Sequence, residues 1–236
     1  FIIAMERTVV PENFSFRMTD EEYRVLEKIK NSIPVCYLAD HADFALGIVT
    51  GNNKKFLSAE KTEHSEMVLK GTDICKYHIN PAKQYLRFEP EQFQQVAPLE
   101  IYRAPEKLLY RFISNQLVVA YDDRQMLSLN SCNIVIPKIE GMQIKYILAI
   151  LNSSVSQFVY QKEFHSIKVL RAHMEHIPIP RVGKAIQNEI IAMTEPLICG
   201  MGKEAAETCQ KRLDCRIMDL FRLSAEEQWI IRHALH

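Results

Sequence analysis

The stretch LGIVTGNNKKFL, residues 46–57, places a polar tip between two apolar runs. Leu46 to Val49 precede the tip, and Phe56 and Leu57 follow it. Glycine and asparagine tolerate turn backbone, so the pattern predicts a tight turn between two strands. The tip cannot be a phosphate-binding P-loop, because it has no second glycine and no Ser or Thr after its lysines.

A similar pattern extends on both sides of this stretch. From Val35 to Pro137, short apolar or alternating runs are separated by Gly, Asn, Asp and Pro. Such runs are typical of strands. Two of them, 117–121 and the run ending at Ile136, flank the polar segment 122–124 and predict an antiparallel hairpin. The predicted strands are 46–49, 56–58, 67–69, 84–88, 107–113, 117–121 and 127–136.

Helical patterns bracket this region. Thr19 and Glu22 form a capping box that opens a helix over 20–31, and Ser224 with Glu227 forms another near the C-terminus. A helix after Gly141 is interrupted at 152–154, and Pro178 and Pro180 mark a boundary. Helices are predicted over 184–199, 203–221 and 225–235. We therefore expect an α+β fold with a lead-in (1–34), a mixed or antiparallel-strand domain (35–180) and a helical C-terminal region (181–236).

Composition limits the function classes. The 29 basic and 29 acidic residues cancel, although residues 101–180 carry nine basic and six acidic side chains, which permits but does not require a phosphate-facing surface. The six cysteines form no C-x-x-C pair, which favours free thiols and a reduced, cytoplasmic protein. No run of eighteen apolar residues predicts a membrane span. The chain starts at Phe1 rather than Met, so we expect a fragment of a longer protein.

No catalytic or metal motif is evident. His173 and His176 lie one helical turn apart without a third ligand nearby, so a surface or capping role is the simpler interpretation. Asp122 and Asp123 fit a turn, and Asp73 after Gly71 fits local bonding to backbone amides. The glycine-rich turn and Pro-Pro motif of amino-group DNA methyltransferases are missing. Nucleophiles assembled in space remain open, since sequence cannot show them.

Six stretches in order resemble the TaqI-like C-terminal specificity domains of type II restriction–modification enzymes. One stretch alone would be a weak signal, but six in order over about 46–231 are specific. They are LGIVTGNNKKF (46–56), MVLKGTDICKYHI (67–79), EKLLYRFISNQLVVAYDDR (106–124), YILAILNSSVSQFVY (146–160), IPIP (177–180) and LDCRIMDLFRLSAEEQWII (213–231).

This resemblance implies a domain that recognises a short sequence of double-stranded DNA. In the family it follows an adenine-N6 DNA methyltransferase domain, with or without a nuclease, and that domain would bind S-adenosylmethionine. Lysines suit phosphates, whereas amides and arginines suit base edges. The predicted DNA contacts are Thr50, Asn52, Asn53, Lys54, Lys55, Lys70, Lys76, Arg111, Tyr121 and Arg124.

Two other functions are compatible with the sequence. The apolar stripes of the C-terminal helices, one at Leu213, Ile217, Leu220 and Phe221 and one around Trp229, could pair with a second subunit as a protein-interaction module. A stand-alone enzyme is the third possibility, and no sequence feature favours it.

Overall fold

The computed structural model describes residues 18–164 and 166–235; the start of the chain, on which the fragment expectation rests, lies outside them. Within this part nine α-helices and ten strands form, with short 3-10 turns at Gly71–Asp73 and Pro90–Gln92. The helices are α1 (Asp20–Asn31), α2 (Asn53–Phe56), α3 (Leu99–Tyr102), α4 (Ile144–Asn152), α5 (Ser154–Glu163), α6 (Arg171–Glu175), α7 (Lys184–Ile198), α8 (Lys203–Leu220) and α9 (Ala225–Ala234). The strands are β1 (Val35–Cys36), β2 (Ala42–Ala45), β3 (Leu57–Ser58), β4 (Ser65–Leu69), β5 (Gln84–Arg87), β6 (Lys107–Arg111), β7 (Val119–Asp122), β8 (Leu127–Ser128), β9 (Cys132–Pro137) and β10 (Ile179–Pro180).

Two four-stranded sheets organise these strands. The first has the order β2-β9-β6-β7 and is antiparallel throughout. The second has the order β3-β5-β4-β8, in which β4 and β8 are parallel. A short antiparallel ribbon joins β1 to β10. The predicted α+β fold with mixed and antiparallel strands is therefore confirmed, whereas the predicted domain boundaries stay a prediction.

The first sheet separates two hydrophobic cores. Leu108 on β6 packs into a core shared with the long helices, whereas its neighbour Leu109 packs into a second core between the two sheets. Val135 and Ile134 on β9 divide in the same way. Because successive strand residues point to opposite faces, an apolar strand of this kind indicates a sheet buried on both sides.

Local signals located the longer helices correctly, whereas the short helices α2, α3 and α6 were not predicted. Thr19 and Glu22 form the predicted capping box of α1, and Ser224 and Glu227 form that of α9. Ser153 ends α4 and caps α5 by accepting a hydrogen bond from the Ser156 N–H. The C-terminal helices begin and end within one residue of their predicted bounds.

The prediction that the first apolar stripe of the C-terminal helices could pair with a second subunit is wrong. Leu213, Ile217 and Phe221 are completely buried in the helical core of this same chain, and Leu220 is partly buried against it. They stabilise α8 against its neighbours and are not available to a partner. In the second stripe Trp229 is 55% exposed.

The predicted hairpin over 117–136 is also wrong. β7 pairs with β6, and β8 leaves the first sheet to pair with β4 in the second. Asp122 stabilises the turn in which the chain leaves the first sheet after β7. Its buried carboxylate accepts hydrogen bonds from the Arg124 and Met126 N–H groups and from the Lys107 ammonium at 2.5 Å. Gln125 adopts a left-handed φ of 57°, which completes the change of direction.

Two further predicted strands, 46–49 and 127–136, differ from the structure. Residues 46–49 form only isolated bridges at Ile48 and Val49, and the strand precedes them at 42–45. The predicted strand 127–136 is two strands that belong to different sheets, separated by a turn over 129–131. The predicted turn at 50–55 is partly helical, because α2 occupies Asn53–Phe56.

Two glycines allow close packing against the turn between β8 and β9, which we call the 129–132 turn. A Cβ added to Gly47 would lie 2.1 Å from the Leu129 carbonyl oxygen and 2.6 Å from that of Cys132. A Cβ at Gly71 would lie 2.5 Å from the Ser131 carbonyl oxygen. Only glycine permits such approaches of backbone to backbone.

None of the helices in residues 18–164 and 166–235 combines the length and apolar character needed to cross a lipid bilayer. All six cysteines lie in this part and are free thiols; Cys36 and Cys132 are buried, and Cys199 and Cys215 are exposed.

Gly47→Ala should lower the free energy of unfolding by about 2 kcal/mol or more, because the methyl group overlaps two carbonyl oxygens of the 129–132 turn. Urea unfolding followed by circular dichroism measures the change. Gly183→Ala is the matched control, since nothing lies within 4 Å of its added Cβ. Equal stability of the two variants would contradict the close packing at Gly47.

Lys107→Met should cost about 3 kcal/mol of stability, because both members of the Lys107–Asp122 pair are fully buried and Asp122 would lose its counter-charge. The same unfolding assay measures it. Lys138→Met removes an exposed lysine paired with Asp43 and should change stability by less than about 1 kcal/mol. A similar small loss at Lys107 would show that the buried pair does not hold the β6–β7 exit.

Candidate nucleic-acid interface

Hydrogen bonds fix the shape of the 50–56 loop. Asn52 caps α2 by accepting from the Lys55 N–H at 3.2 Å, and the buried Thr50 hydroxyl donates to Asn53 Oδ1 at 2.6 Å. Gly51 supplies the left-handed φ of 73° that the turn requires. Phe56 is buried and packs edge-to-face on Phe93. These contacts hold the asparagines and lysines of the loop on a defined backbone.

The 129–132 turn lies beside this loop and is held from two sides. The Leu129 N–H donates to the Leu69 carbonyl at 2.8 Å, and the Asn130 N–H donates to that of Ile48 at 3.1 Å. Ser131 Oγ accepts from the Gly71 N–H at 2.9 Å. The Asn130 side chain is exposed and has no hydrogen bond to any described residue.

Two adjoining pockets lie between the loop and the turn and together form a groove. One part, of about 230 Å³, lies next to Thr50 and Gly51, and the other, of about 410 Å³, lies next to Lys54 and Lys70. Asn53 and Asn130 line both parts. We call this groove the amide–lysine cleft; its lining is Val49, Thr50, Gly51, Asn53, Lys54, Leu57, Lys70, Gln84, Leu129, Asn130 and Ser131.

The charge of the cleft is entirely positive. No carboxylate is among its lining residues, and neither Lys54 nor Lys70 forms an ion pair with a described residue. The opposite side of the loop differs, because there Lys55 donates to Gln92 at 2.5 Å beside Glu91. Two unpaired ammonium groups beside side-chain amides form a surface suited to a polyanion with hydrogen-bonding edges.

The structure brings together four of the ten predicted DNA contacts. Thr50, Asn53, Lys54 and Lys70 all line the amide–lysine cleft. Asn52 and Lys55 lie on the other side of the same loop, where the Asn52 side chain serves as a helix cap. Five of these six residues lie close together because they belong to one loop. Lys70 reaches the cleft because β4, which precedes it, pairs with β5 and β8.

The remaining four predicted contacts do not line the cleft. Lys76 is directed into the protein, where its ammonium donates to the Asn152 carbonyl and burial lowers its pKa. Arg111 donates through Nε to the Ile74 carbonyl at 2.7 Å. The Tyr121 hydroxyl donates to Glu106. Its pKa is raised mainly by burial and also by this hydrogen bond. Arg124 is exposed in the loop after β7. Lys76, Arg111 and Tyr121 are thus engaged within the protein.

Sequence reasoning missed three lining residues. Gln84, Asn130 and Ser131 were assigned to strands, yet all three reach the amide–lysine cleft. A signal was present in the sequence for two of them, because Asn130-Ser131 is a turn-forming pair inside an otherwise apolar run. Gln84 carried no such signal, since its position depends on strand pairing between distant segments.

The other candidate residues from the sequence form local structural contacts. His173 accepts the Leu170 N–H at 3.2 Å and stacks on Phe164, consistent with a capping role. Within residues 18–164 and 166–235, no group of three or more His, Cys, Asp or Glu is placed to hold a metal ion. Asp73 accepts the Lys70 N–H, as predicted for a structural residue. Another groove, of about 630 Å³, lies between α7 and α8, but its lining is mostly apolar.

Comparison with solved structures places the fold among restriction–modification proteins. The type IIL restriction–modification enzyme MmeI, solved in complex with DNA, superposes with a TM-score of 0.58 at 11% identity, covering 87% of this chain and 37% of MmeI. A type I restriction–modification system matches with a TM-score of 0.49 at 13% identity (92% and 52% covered). The HsdS subunit from Thermoanaerobacter tengcongensis matches with a TM-score of 0.46 at 14% identity (92% and 50% covered). This chain thus spans about half of these proteins or less.

Sequence comparison is more specific. No curated protein matches the chain. Residues 66–179 match the TaqI-like C-terminal specificity domain, a range that contains three of the six resembling stretches completely and most of a fourth. The match includes Lys70, Gln84, Asn130 and Ser131 of the amide–lysine cleft. Residues 66–179 of this chain therefore resemble the TaqI-like C-terminal specificity domains in sequence.

Proposed function

We propose that this chain recognises a short sequence of double-stranded DNA within a restriction–modification protein. The observation that carries the proposal is the amide–lysine cleft, in which side-chain amides face the same groove as two unpaired lysines and no carboxylate. The family resemblance and the fold shared with MmeI, which was solved with DNA, support it.

A neutral chain can perform this function if its charges are unevenly placed. Ten lysines and arginines of the described residues outside the cleft form ion pairs with carboxylates, as in the pairs Lys145–Glu195, Lys162–Glu22 and Arg216–Glu189. Lys54 and Lys70 have none and remain free to neutralise phosphates, which supplies affinity without sequence information. The amides of the cleft then supply hydrogen bonds to base edges.

The parent protein that we propose is an adenine-N6 DNA methyltransferase. Its catalytic domain would precede this chain, bind S-adenosylmethionine and, in some arrangements, be joined to a nuclease. This chain would clamp DNA against that domain. We do not propose subunit pairing through α8 as a second function, because Leu213 and Ile217 are buried in the core.

Reversing the two lysine charges should weaken DNA binding. Lys54→Glu with Lys70→Glu should reduce affinity for duplex DNA about tenfold or more and lower the slope of log K against log salt by about two, since each phosphate contact contributes about 0.9. Fluorescence anisotropy with a labelled duplex over a salt series measures both. Lys203→Glu with Lys211→Glu is the charge-matched control on α8 and should change neither as strongly. Binding that does not depend on salt would contradict the proposal.

The parent protein should transfer methyl groups to adenine. Incubation with radiolabelled S-adenosylmethionine and duplex DNA, followed by nucleoside analysis, should yield N6-methyladenine for the parent and no product for this chain alone. Methylcytosine as the only product would contradict the adenine assignment but would leave DNA recognition by this chain intact.

A further inference from the structure

Two asparagine amides converge on the amide–lysine cleft from different segments of the chain. Asn53 approaches from the 50–56 loop and Asn130 from the 129–132 turn, and both line both parts of the groove. We infer that Asn53 and Asn130 read adenine in the recognised sequence, with Asn130 as a specificity-determining residue. The inference rests on the proposed DNA-binding function and goes beyond it by naming the base and its readers.

The backbone of Asn130 is fixed in position. The backbone of its turn is fixed by hydrogen bonds from Leu129 to Leu69, from Asn130 to Ile48 and from Cys132 to Leu129. Gly47 and Gly71 pack directly against the same turn. The side-chain amide nevertheless bonds no described residue, so its donor and acceptor remain available. The backbone thus fixes where the Asn130 side chain starts, and its amide donor and acceptor are both available to a base edge.

Asn53 is held by a different device. The Thr50 hydroxyl, only 3% exposed, donates to Asn53 Oδ1 at 2.6 Å and so fixes the plane of the amide. An amide oxygen has two lone pairs, and the nitrogen has two donors, so the outer edge of Asn53 still offers one acceptor and one donor. That pair of groups matches N6–H and N7 of adenine.

The lining of the cleft favours an A·T pair over a G·C pair. It contains no carboxylate to accept from the amino group of cytosine, and of the two side chains that commonly read guanine it contains lysine but no arginine. Leu57 and Leu129 provide apolar surface of the kind that contacts the methyl group of thymine. Lys54 and Lys70 carry the compact charges that we assign to phosphates.

The other amides near the loop are less suitable. Asn52 Oδ1 accepts the Lys55 N–H as a helix cap, and Gln92 accepts from the Lys55 ammonium. Both lie on the side of the loop that includes Glu91. Gln84 lines only the larger part of the cleft, whereas Asn53 and Asn130 line both parts.

Selection from a pool of duplexes randomised over about one helical turn tests the inference with the full 236-residue chain. The wild-type chain should enrich a motif that contains adenine. Asn130→Ala should relax one adenine position, lowering discrimination there about tenfold or more while the other positions keep their preference. Asn130→Arg should shift the same position toward guanine. Thr50→Val, which removes the hydroxyl that orients Asn53, should relax a second adenine position.

Asn115→Ala is the control, because Asn115 is an exposed loop asparagine outside the cleft, and it should leave the motif unchanged. A wild-type motif that survives Asn130→Ala and Asn53→Ala, or one that loses preference only at a guanine position, overturns the inference and leaves DNA recognition standing. Salt-dependent binding with no enriched motif overturns both the inference and the proposed sequence-specific function. Circular dichroism of each variant verifies that the fold is intact.

Discussion

The backbone contact at the 129–132 turn is the constraint on which the candidate interface depends. Gly47 and Gly71 belong to segments far apart in the chain, yet a Cβ on either would overlap a carbonyl oxygen of this turn. Their missing side chains let residues 47–48 and 69–71 hydrogen-bond the turn from both sides. The 50–56 loop and Lys70 follow directly from these two segments, so the contact sets the width of the cleft between them.

The longer helices could be predicted and the strand pairing could not, for one physical reason. Capping boxes such as Thr19–Glu22 and the stripe of apolar residues on a helix act over a few residues and are visible in the sequence. Strand partners are chosen by contacts between distant segments. Nothing near Asp122 shows that it will meet the buried Lys107 and accept two backbone N–H groups, yet this meeting sends β8 into the second sheet.

The candidate site divides in the same way. Thr50, Asn53 and Lys54 share one loop and were found from its residue types, whereas Asn130 and Gln84 reach the cleft only through tertiary structure. Lys76 and Tyr121 were chosen for their chemistry, but Asn152 and Glu106 engage them. Sequence can identify residues able to bind DNA; only the fold decides which of them remain unoccupied.

The freedom of the Asn130 side chain has a consequence for how such a domain can change. Its turn is stabilised by main-chain groups, two glycines and the Ser131 hydroxyl, and the asparagine amide adds no bond to them. Most exposed positions of this kind tolerate substitution within about 0.5 kcal/mol. Natural variation or design can therefore replace the Asn130 side chain at little cost to the stability of the fold.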